Sequence, residues 1–173
     1  YGILTSLALD PIEKKPFANY MPGHMILSAG SFGCNMKCPF CQNYEISYAD
    51  SCENREISPE ELVSLAVQEK VHGNIGLAFT YNEPFINYEY VRDCFQLARK
   101  QDLKCILVTN GMVAQERIKE LLPYVDAMNI DLKGFRQEIY DILHGNLECV
   151  KANIALADPC CHVEVTSLIV PGL

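Results

Sequence analysis

Basic residues are scarce in this chain: 14 Lys and Arg stand against 22 Asp and Glu, a net charge of −8. That balance argues against nonspecific binding to nucleic acid or anionic membranes and points to a small molecule or a protein partner. Long apolar runs are missing too, so neither a spanning helix nor a charged, apolar, small-residue leader is predicted, and a cytoplasmic protein is expected. No glycine-rich phosphate fingerprint follows the first predicted strand, where Gly30-Ser31-Phe32-Gly33 stands instead. Internal repeats and low-complexity tracts are absent as well. What the chain has is enough apolar material for one core, 49% of 173 residues. Because it starts at Tyr1 and stops just after an apolar run ending at Val170, it is expected to be a piece of a longer protein.

Cysteine is plentiful, with 9 in all. Three share one stretch, Cys34-Asn35-Met36-Lys37-Cys38-Pro39-Phe40-Cys41, a C-x3-C-x2-C run with an aromatic residue before its last member. Thiolates hold iron-sulfur clusters and normally number four per cubane, so three in one loop leave one iron open. An open metal position implies chemistry rather than structure alone. A zinc site would need a fourth ligand and usually a second C-x2-C or H-x3-H pair, which Cys52, Cys94, Cys105, Cys149, Cys160 and Cys161 do not supply. A bacterial ferredoxin run would put cysteines where Ser28 and Ser31 stand, and a thioredoxin-like pair at Cys38 and Cys41 leaves Cys34 unexplained. The cluster reading leads, and three thiols in one loop fit a reducing compartment. A zinc-stapled module or a non-enzymatic electron carrier is the alternative from another class.

Five short apolar runs, Met25 to Ala29, Asn74 to Thr80, Lys104 to Thr109, Ala127 to Leu132 and His162 to Val170, read as buried parallel strands. Helices are predicted between them. Ser58-Pro59-Glu60-Glu61 is a capping box with proline at the first helical position. Further helices are expected over Phe85 to Gln101, Gln115 to Leu122, Arg136 to Leu143 and Leu147 to Ala157. Alternating β and α elements indicate an α/β protein with a parallel sheet, closed or partly closed into a barrel, with an open doubly wound sheet as runner-up. Residues 1–24 read as a turn-rich lead-in and residues 25–173 as the core.

In βα barrels the chemistry gathers at the carboxyl ends of the strands. The cysteine loop follows strand one, Thr80-Tyr81-Asn82-Glu83-Pro84 follows strand two and Thr109-Asn110-Gly111 ends strand three; Asp131 and Lys133 close strand four, and Thr166 and Ser167 lie in strand five. Each has an ordinary reading: Asn82-Glu83-Pro84 starts a helix, Asn110-Gly111 is a turn pair, and Asp131 and Lys133 are a solvated strand exit. Their joint placement on one rim favours function. Tyr81, Tyr88 and Tyr90 are expected to pack; His24, His72, His144 and His162 show no ligand spacing; Cys160-Cys161 reads as a spare pair.

These residues together resemble the radical S-adenosylmethionine enzymes, whose cluster motif is C-x3-C-x2-C with an aromatic before the third cysteine. Residues Leu7 to Pro16, Cys41 to Ser47, Thr80 to Pro84 and Asn129 to Gly134 look like the AmmeMemoRadiSam-system branch, often described as similar to pyruvate formate-lyase activating enzyme. The resemblance implies a partial (β/α)6 barrel, truncated here after about five strands, with at least one further βα unit beyond Leu173. It implies that Cys34, Cys38 and Cys41 hold a 4Fe-4S cluster whose fourth iron is chelated by S-adenosylmethionine. One electron then cleaves the sulfonium, and a 5'-deoxyadenosyl radical takes hydrogen from a substrate that the sequence does not name.

By the same resemblance Phe40 borders the adenine, and Asn82 and Glu83 fall in the family's Gly-Gly-Glu segment, whose carboxylate accepts a hydrogen bond from the cofactor's amino group. An asparagine stands there in place of a glycine. Thr109 and Asn110 match a Thr-Asn-Gly of the glycyl-radical activating enzymes, and Asp131 and Lys133 their Asp-Leu-Lys, which contacts the cofactor's ribose and carboxylate. Val108 departs from the pattern, since those enzymes carry an aspartate there; this weakens the expectation of their monovalent-cation site and of activase function, the second hypothesis. The stretch between Cys41 and Asn74 leaves no room for a ferredoxin-like insert. The implied partners are a one-electron donor such as flavodoxin or ferredoxin and, in this branch, Memo-like and AMMECR-like proteins.

Overall fold

A computed structural model describes residues 1–49 and 53–172, so Cys52 lies outside the described residues. In chain order the elements are β1 (Ile3–Leu4), β2 (Ser6–Pro11), β3 (Met25–Gly30), α1 (Tyr44–Ser47), β4 (Arg55–Glu56), α2 (Pro59–Gln68), β5 (Asn74–Phe79), α3 (Tyr88–Lys100), β6 (Lys104–Thr109), α4 (Gln115–Leu121), β7 (Ala127–Asp131), α5 (Gln137–Ile142), α6 (Leu147–Ala157) and β8 (His162–Thr166). Strands β1 and β4 form a small antiparallel pair, and the other six make one sheet in the order β2-β3-β5-β6-β7-β8. From β3 to β8 every pairing is parallel, as the sequence predicts.

Register makes the strand ends coincide. Ala29 stands beside Phe79, Phe79 beside Leu107, Thr109 beside Ile130 and Asp131 beside Thr166. All five parallel strands therefore deliver their following loops to one rim. The sheet has edges at β2 and β8, so the α/β architecture stands while a closed barrel does not.

Burial on the sheet alternates with the two-residue period of a strand. Leu27, Leu77, Leu107 and Met128 belong to the large core beneath the helices, where α2 and α3 supply Leu62, Val63, Ala66, Val91, Phe95 and Ala98. On the opposite face Ile26, Ala78, Ile106 and Ala127 pack with Ile12 and Phe17. Helix α2 begins as its sequence dictates: the Glu61 amide donates to Ser58 Oγ at 3.2 Å, and the Ser58 amide donates to the Glu61 carboxylate at 3.0 Å. No helix among the described residues is long and apolar enough to cross a membrane.

Three local expectations change. Residues 1–24 are more than turns, because β2 pairs antiparallel with β3 along its whole length and the segment after it covers the inner face of the sheet. The helix expected from Phe85 is divided into a 3-10 turn at Pro84–Asn87 and α3, since the Glu83 carboxylate accepts the Phe85 amide and Asn87 is not helical. The strand expected to reach Val170 stops at Thr166 because its ladder partner β7 ends at Asp131.

The inner-face segment is fastened at the far end of the sheet. Glu164 of β8 accepts the backbone N–H groups of Ala18, Asn19 and Tyr20 at 2.8, 2.9 and 3.1 Å. Asn129 of β7 donates to the Pro16 carbonyl at 2.9 Å. Orphan amides of an irregular segment need such acceptors, and a carboxylate is a strong one.

Candidate functional site

A cavity of about 600 Å³ opens at the rim where the parallel strands end. The three cysteines and each of the seven other residues singled out from the sequence, Phe40, Asn82, Glu83, Thr109, Asn110, Asp131 and Lys133, line it. None of the four histidines lines it, and Cys160 and Cys161 lie on another groove with Asp126.

The cysteine loop is held from several sides. Met36 is an apolar anchor, 1% exposed, whose Cε packs close to Gly145. The Lys37 amide donates to the Leu143 carbonyl at 2.9 Å, and the Cys41 amide to the Cys38 carbonyl at 3.0 Å. Asn82 fastens the start of the loop: its Oδ1 accepts the Ser31 amide at 2.9 Å, and its Nδ2 donates to the Gly33 carbonyl at 3.1 Å. Asn43 returns the contact by donating to the Tyr81 carbonyl at 2.7 Å. Asn82 thus serves the loop through its side chain, in the segment where the resemblance places glycines. Tyr81, at φ +73°, occupies the left-handed region that glycine enters most easily.

Glu83 is the most constrained polar group here, 3% exposed. Its Oε1 accepts from Thr109 Oγ1 at 2.7 Å and from the Phe85 amide at 3.1 Å; its Oε2 accepts the Asn110 amide at 2.8 Å. Burial pushes its carboxyl up to about 7, against these hydrogen bonds, which favour the charged form. A carboxylate has roughly four acceptor positions, so one stays open for a further donor.

Asn110 joins the strand-three loop to the thiols. Its Nδ2 donates to Asn35 Oδ1 at 2.8 Å and lies 3.6 Å from Cys34 Sγ, while its Oδ1 accepts the Met112 amide at 2.8 Å. Gly111 beside it has φ +70°, and a Cβ there would meet Ile130 at 2.9 Å. Lys133 and Asp131 form an ion pair at 2.7 Å. Burial alone would lower the Lys133 ammonium, but the Asp131 carboxylate and the nearby cysteines hold it above its ordinary value.

The donor set fits a thiolate-held cluster. Burial pushes the Cys38 thiol up to about 11, with Lys133 pulling the other way, and burial raises Cys34 as well. Thiols of this kind bind metal with release of their protons. The Met36 amide, 3.5 Å from Cys34 Sγ, and Ser47 Oγ, 3.6 Å from Cys41 Sγ, are the polar neighbours a cluster's sulfurs use. Among the described residues no three His, Cys, Asp or Glu side chains converge on a single ion position. A cubane distributes its thiolates over separate irons and asks for no such convergence.

Sequence reading missed Asn35, Asn43 and a whole wall of the cavity formed by Asp10, Lys14 and Lys15. Asn43 follows the third cysteine, but nothing in a lone asparagine announces its partner across the fold. Tyr81, expected to pack, instead donates its hydroxyl to Asp10 Oδ2 at 2.7 Å and lines the cavity.

A parallel βα sheet that gathers a three-thiol loop, a buried carboxylate and an Asp-Lys pair on one rim is the framework of a cofactor-dependent α/β enzyme. The family model of the Radical SAM superfamily matches residues 30–173, and the chain belongs to that superfamily. An uncharacterized protein of Methanocaldococcus jannaschii is 40% identical over 175 residues, covering 99% of this chain and 51% of its own. Pyruvate formate-lyase 1-activating enzyme of Escherichia coli strain K12 is 31% identical over 150 residues, covering 81% of this chain and 59% of its own. The chain therefore spans between half and three-fifths of the length of these relatives. Among solved structures, SuiB of Streptococcus suis superposes with a TM-score of 0.66 at 12% identity, over 94% of this chain and 36% of SuiB, which is a likeness of fold.

Proposed function

We propose that this chain is the catalytic core of a radical enzyme that uses a 4Fe-4S cluster on Cys34, Cys38 and Cys41 together with S-adenosylmethionine. The observation that carries the reading is that these three thiols line one cavity with Glu83, Asn110, Asp131 and Lys133. When bound, the cluster and cofactor supply a reductive carbon-sulfur cleavage that yields a 5'-deoxyadenosyl radical, which takes hydrogen from a substrate C–H bond.

The protein's own part is to bind, orient and exclude water. Cys34, Cys38 and Cys41 would hold the cluster as thiolates, and Lys133 near Cys38 favours the charged form. The open acceptor position of Glu83 suits the cofactor's amino group, with Thr109 and the Asn110 amide fixing the carboxylate's orientation. Asn110 offers an amide N–H to Cys34 Sγ, which lowers electron density on that sulfur. Asp131 and Lys133 suit the ribose and carboxylate, and Phe40 an adenine edge.

We further propose the AmmeMemoRadiSam branch, on the motifs at Leu7 to Pro16 and Asn129 to Gly134, with a flavodoxin or ferredoxin as one-electron donor, Memo-like and AMMECR-like proteins as partners, and the cytoplasm as compartment. Activation of a glycyl-radical enzyme is the second reading, favoured by the 31% identity to the activating enzyme of E. coli. Val108 lines the cavity where such enzymes carry an aspartate, and this weighs against it. The reading is tested by anaerobic turnover with dithionite: 5'-deoxyadenosine should form with S-adenosylmethionine present. A fully iron-loaded chain that releases none contradicts it.

A further inference from the structure

The proposed function gives the segment Leu7 to Pro16 no part in holding cluster or cofactor, yet Asp10, Lys14 and Lys15 line the same cavity as the cysteines. Lys15 is 1% exposed. Its Nζ donates to Asp10 Oδ2 at 2.8 Å and to the Tyr81 hydroxyl at 3.1 Å, and it lies 4.4 Å from the centre of the Tyr81 ring. An ammonium has three N–H donors. Two have hydrogen-bonded protein partners, the face of the Tyr81 ring lies beside the ammonium, and the side chain is among those that line the cavity. Lys14 donates to the other oxygen of the same carboxylate at 3.0 Å, with its side chain 66% exposed.

Two ammonium groups therefore share one carboxylate. The remaining acidic groups of the cavity are committed elsewhere: Glu83 to Thr109, Phe85 and Asn110, and Asp131 to Lys133. A positive excess of one charge is left on this wall, in a chain whose net charge is −8.

Pinning the segment to the sheet does not require this arrangement. Ile12 and Phe17 are buried against the sheet, Glu164 holds three backbone amides, and Asn129 holds the Pro16 carbonyl. One Asp10–Lys15 pair would also neutralise itself, whereas a second lysine on the same carboxylate leaves the wall positive. Tyr81 keeps its left-handed backbone while its hydroxyl bridges Asp10 and Lys15, so the wall is fixed before any ligand arrives.

We infer that Lys14 and Lys15, oriented by Asp10 and Tyr81, form a subsite for an oxyanion, a carboxylate or a phosphate, carried by the molecule on which the radical acts. The inference rests on the radical reading proposed above and gives its substrate a chemical class. Lysine binds such groups as a point charge, and a group anchored here would hold the rest of the substrate in the cavity that the thiols line. Geometry of this kind is what a radical able to attack most C–H bonds requires of its enzyme.

The subsite is read directly from the side-chain ammonium resonances of the full reconstituted chain labelled with isotopic lysine, titrated with inorganic phosphate and, separately, with acetate at constant ionic strength. A saturable shift of the Lys15 signal is expected with one or both anions, with a dissociation constant on the order of 1 mM, and Lys14→Met should weaken it about tenfold. Saturation by phosphate alone identifies a phosphate group, and saturation by acetate a carboxylate. Shifts that chloride reproduces, or a saturation that Lys14→Met leaves unchanged, overturn the inference. Lys14 is exposed, so that variant is expected to fold even if Lys15→Met does not. Iron content and the response to S-adenosylmethionine of the same sample report on the radical reading, so each can fail alone.

Discussion

The backbone amide of Asn110 donates to Glu83 Oε2 at 2.8 Å, tying the loop after β6 to the loop after β5 through a carboxylate with almost no contact with water. Because the Asn110 side chain reaches Cys34, a single residue stands between the buried acid and the thiol loop.

Glu83 should leave a pH signature on the stability of the metal-free chain. Its folded carboxyl is raised from 4.5 to about 7, so between these values the folded state binds more protons than the unfolded state. Stability from this group is greatest below the lower value and falls as pH rises towards the upper one, by roughly 1 kcal/mol per pH unit at most, and then levels off. Urea unfolding from pH 5 to pH 8 should show the decline in the native sequence and a flatter profile in Glu83→Gln. The glutamine amide must also face at least one donor of Thr109, Phe85 or Asn110, so the variant should be less stable by about 1–3 kcal/mol.

Asn82→Gly should free the cysteine loop while sparing the sheet. It removes the acceptor for the Ser31 amide and the donor to the Gly33 carbonyl. Amide hydrogen exchange at Ser31 should quicken, global stability should fall by about 1–2 kcal/mol, and the reconstituted cluster should be lost faster in air. Unchanged exchange at Ser31 would remove Asn82 from its assigned role.

How much of this was legible beforehand depends on whether a residue's partner is local or distant. The five parallel strands and the rim that carries Glu83, Asn110, Asp131 and Lys133 follow from apolar runs and from the rule that βα loops share one side. The capping box at Ser58 is a four-residue pattern and formed as read. Strand β2 was not legible, because an edge strand with one solvated face and an Asp-Pro step lacks the apolar run that marks its neighbours. Lys15 and Tyr81 were not legible either: 66 positions separate them, and their meeting is set by the sheet rather than by any local signal. Glu164 reads in sequence as a charge in a strand, and only the fold brings three amides to it.

Glu164→Gln tests that fastening. The carboxylate is held below its ordinary value because the amides of Ala18 and Asn19 and the His162 ring outweigh the effect of burial. Its stabilisation is present above pH 4.5 and is lost as pH falls through the lower folded value. The variant should be destabilised by about 1–2 kcal/mol at neutral pH, with part of the acid sensitivity removed. Limited proteolysis should cut the variant between Phe17 and Tyr20 sooner than the native chain; equal rates would show that the apolar contacts of Phe17 suffice.

The central claim is that Cys34, Cys38 and Cys41 hold a cluster with one iron left for S-adenosylmethionine. After anaerobic reconstitution the chain should carry about four irons, and Cys38→Ala should retain far fewer. The most direct measurement is the electron paramagnetic resonance spectrum of the reduced cluster before and after S-adenosylmethionine is added. A change in its g values is predicted, because the cofactor becomes a ligand of the open iron; an intact, reduced cluster whose spectrum stays the same at saturating cofactor would contradict the account.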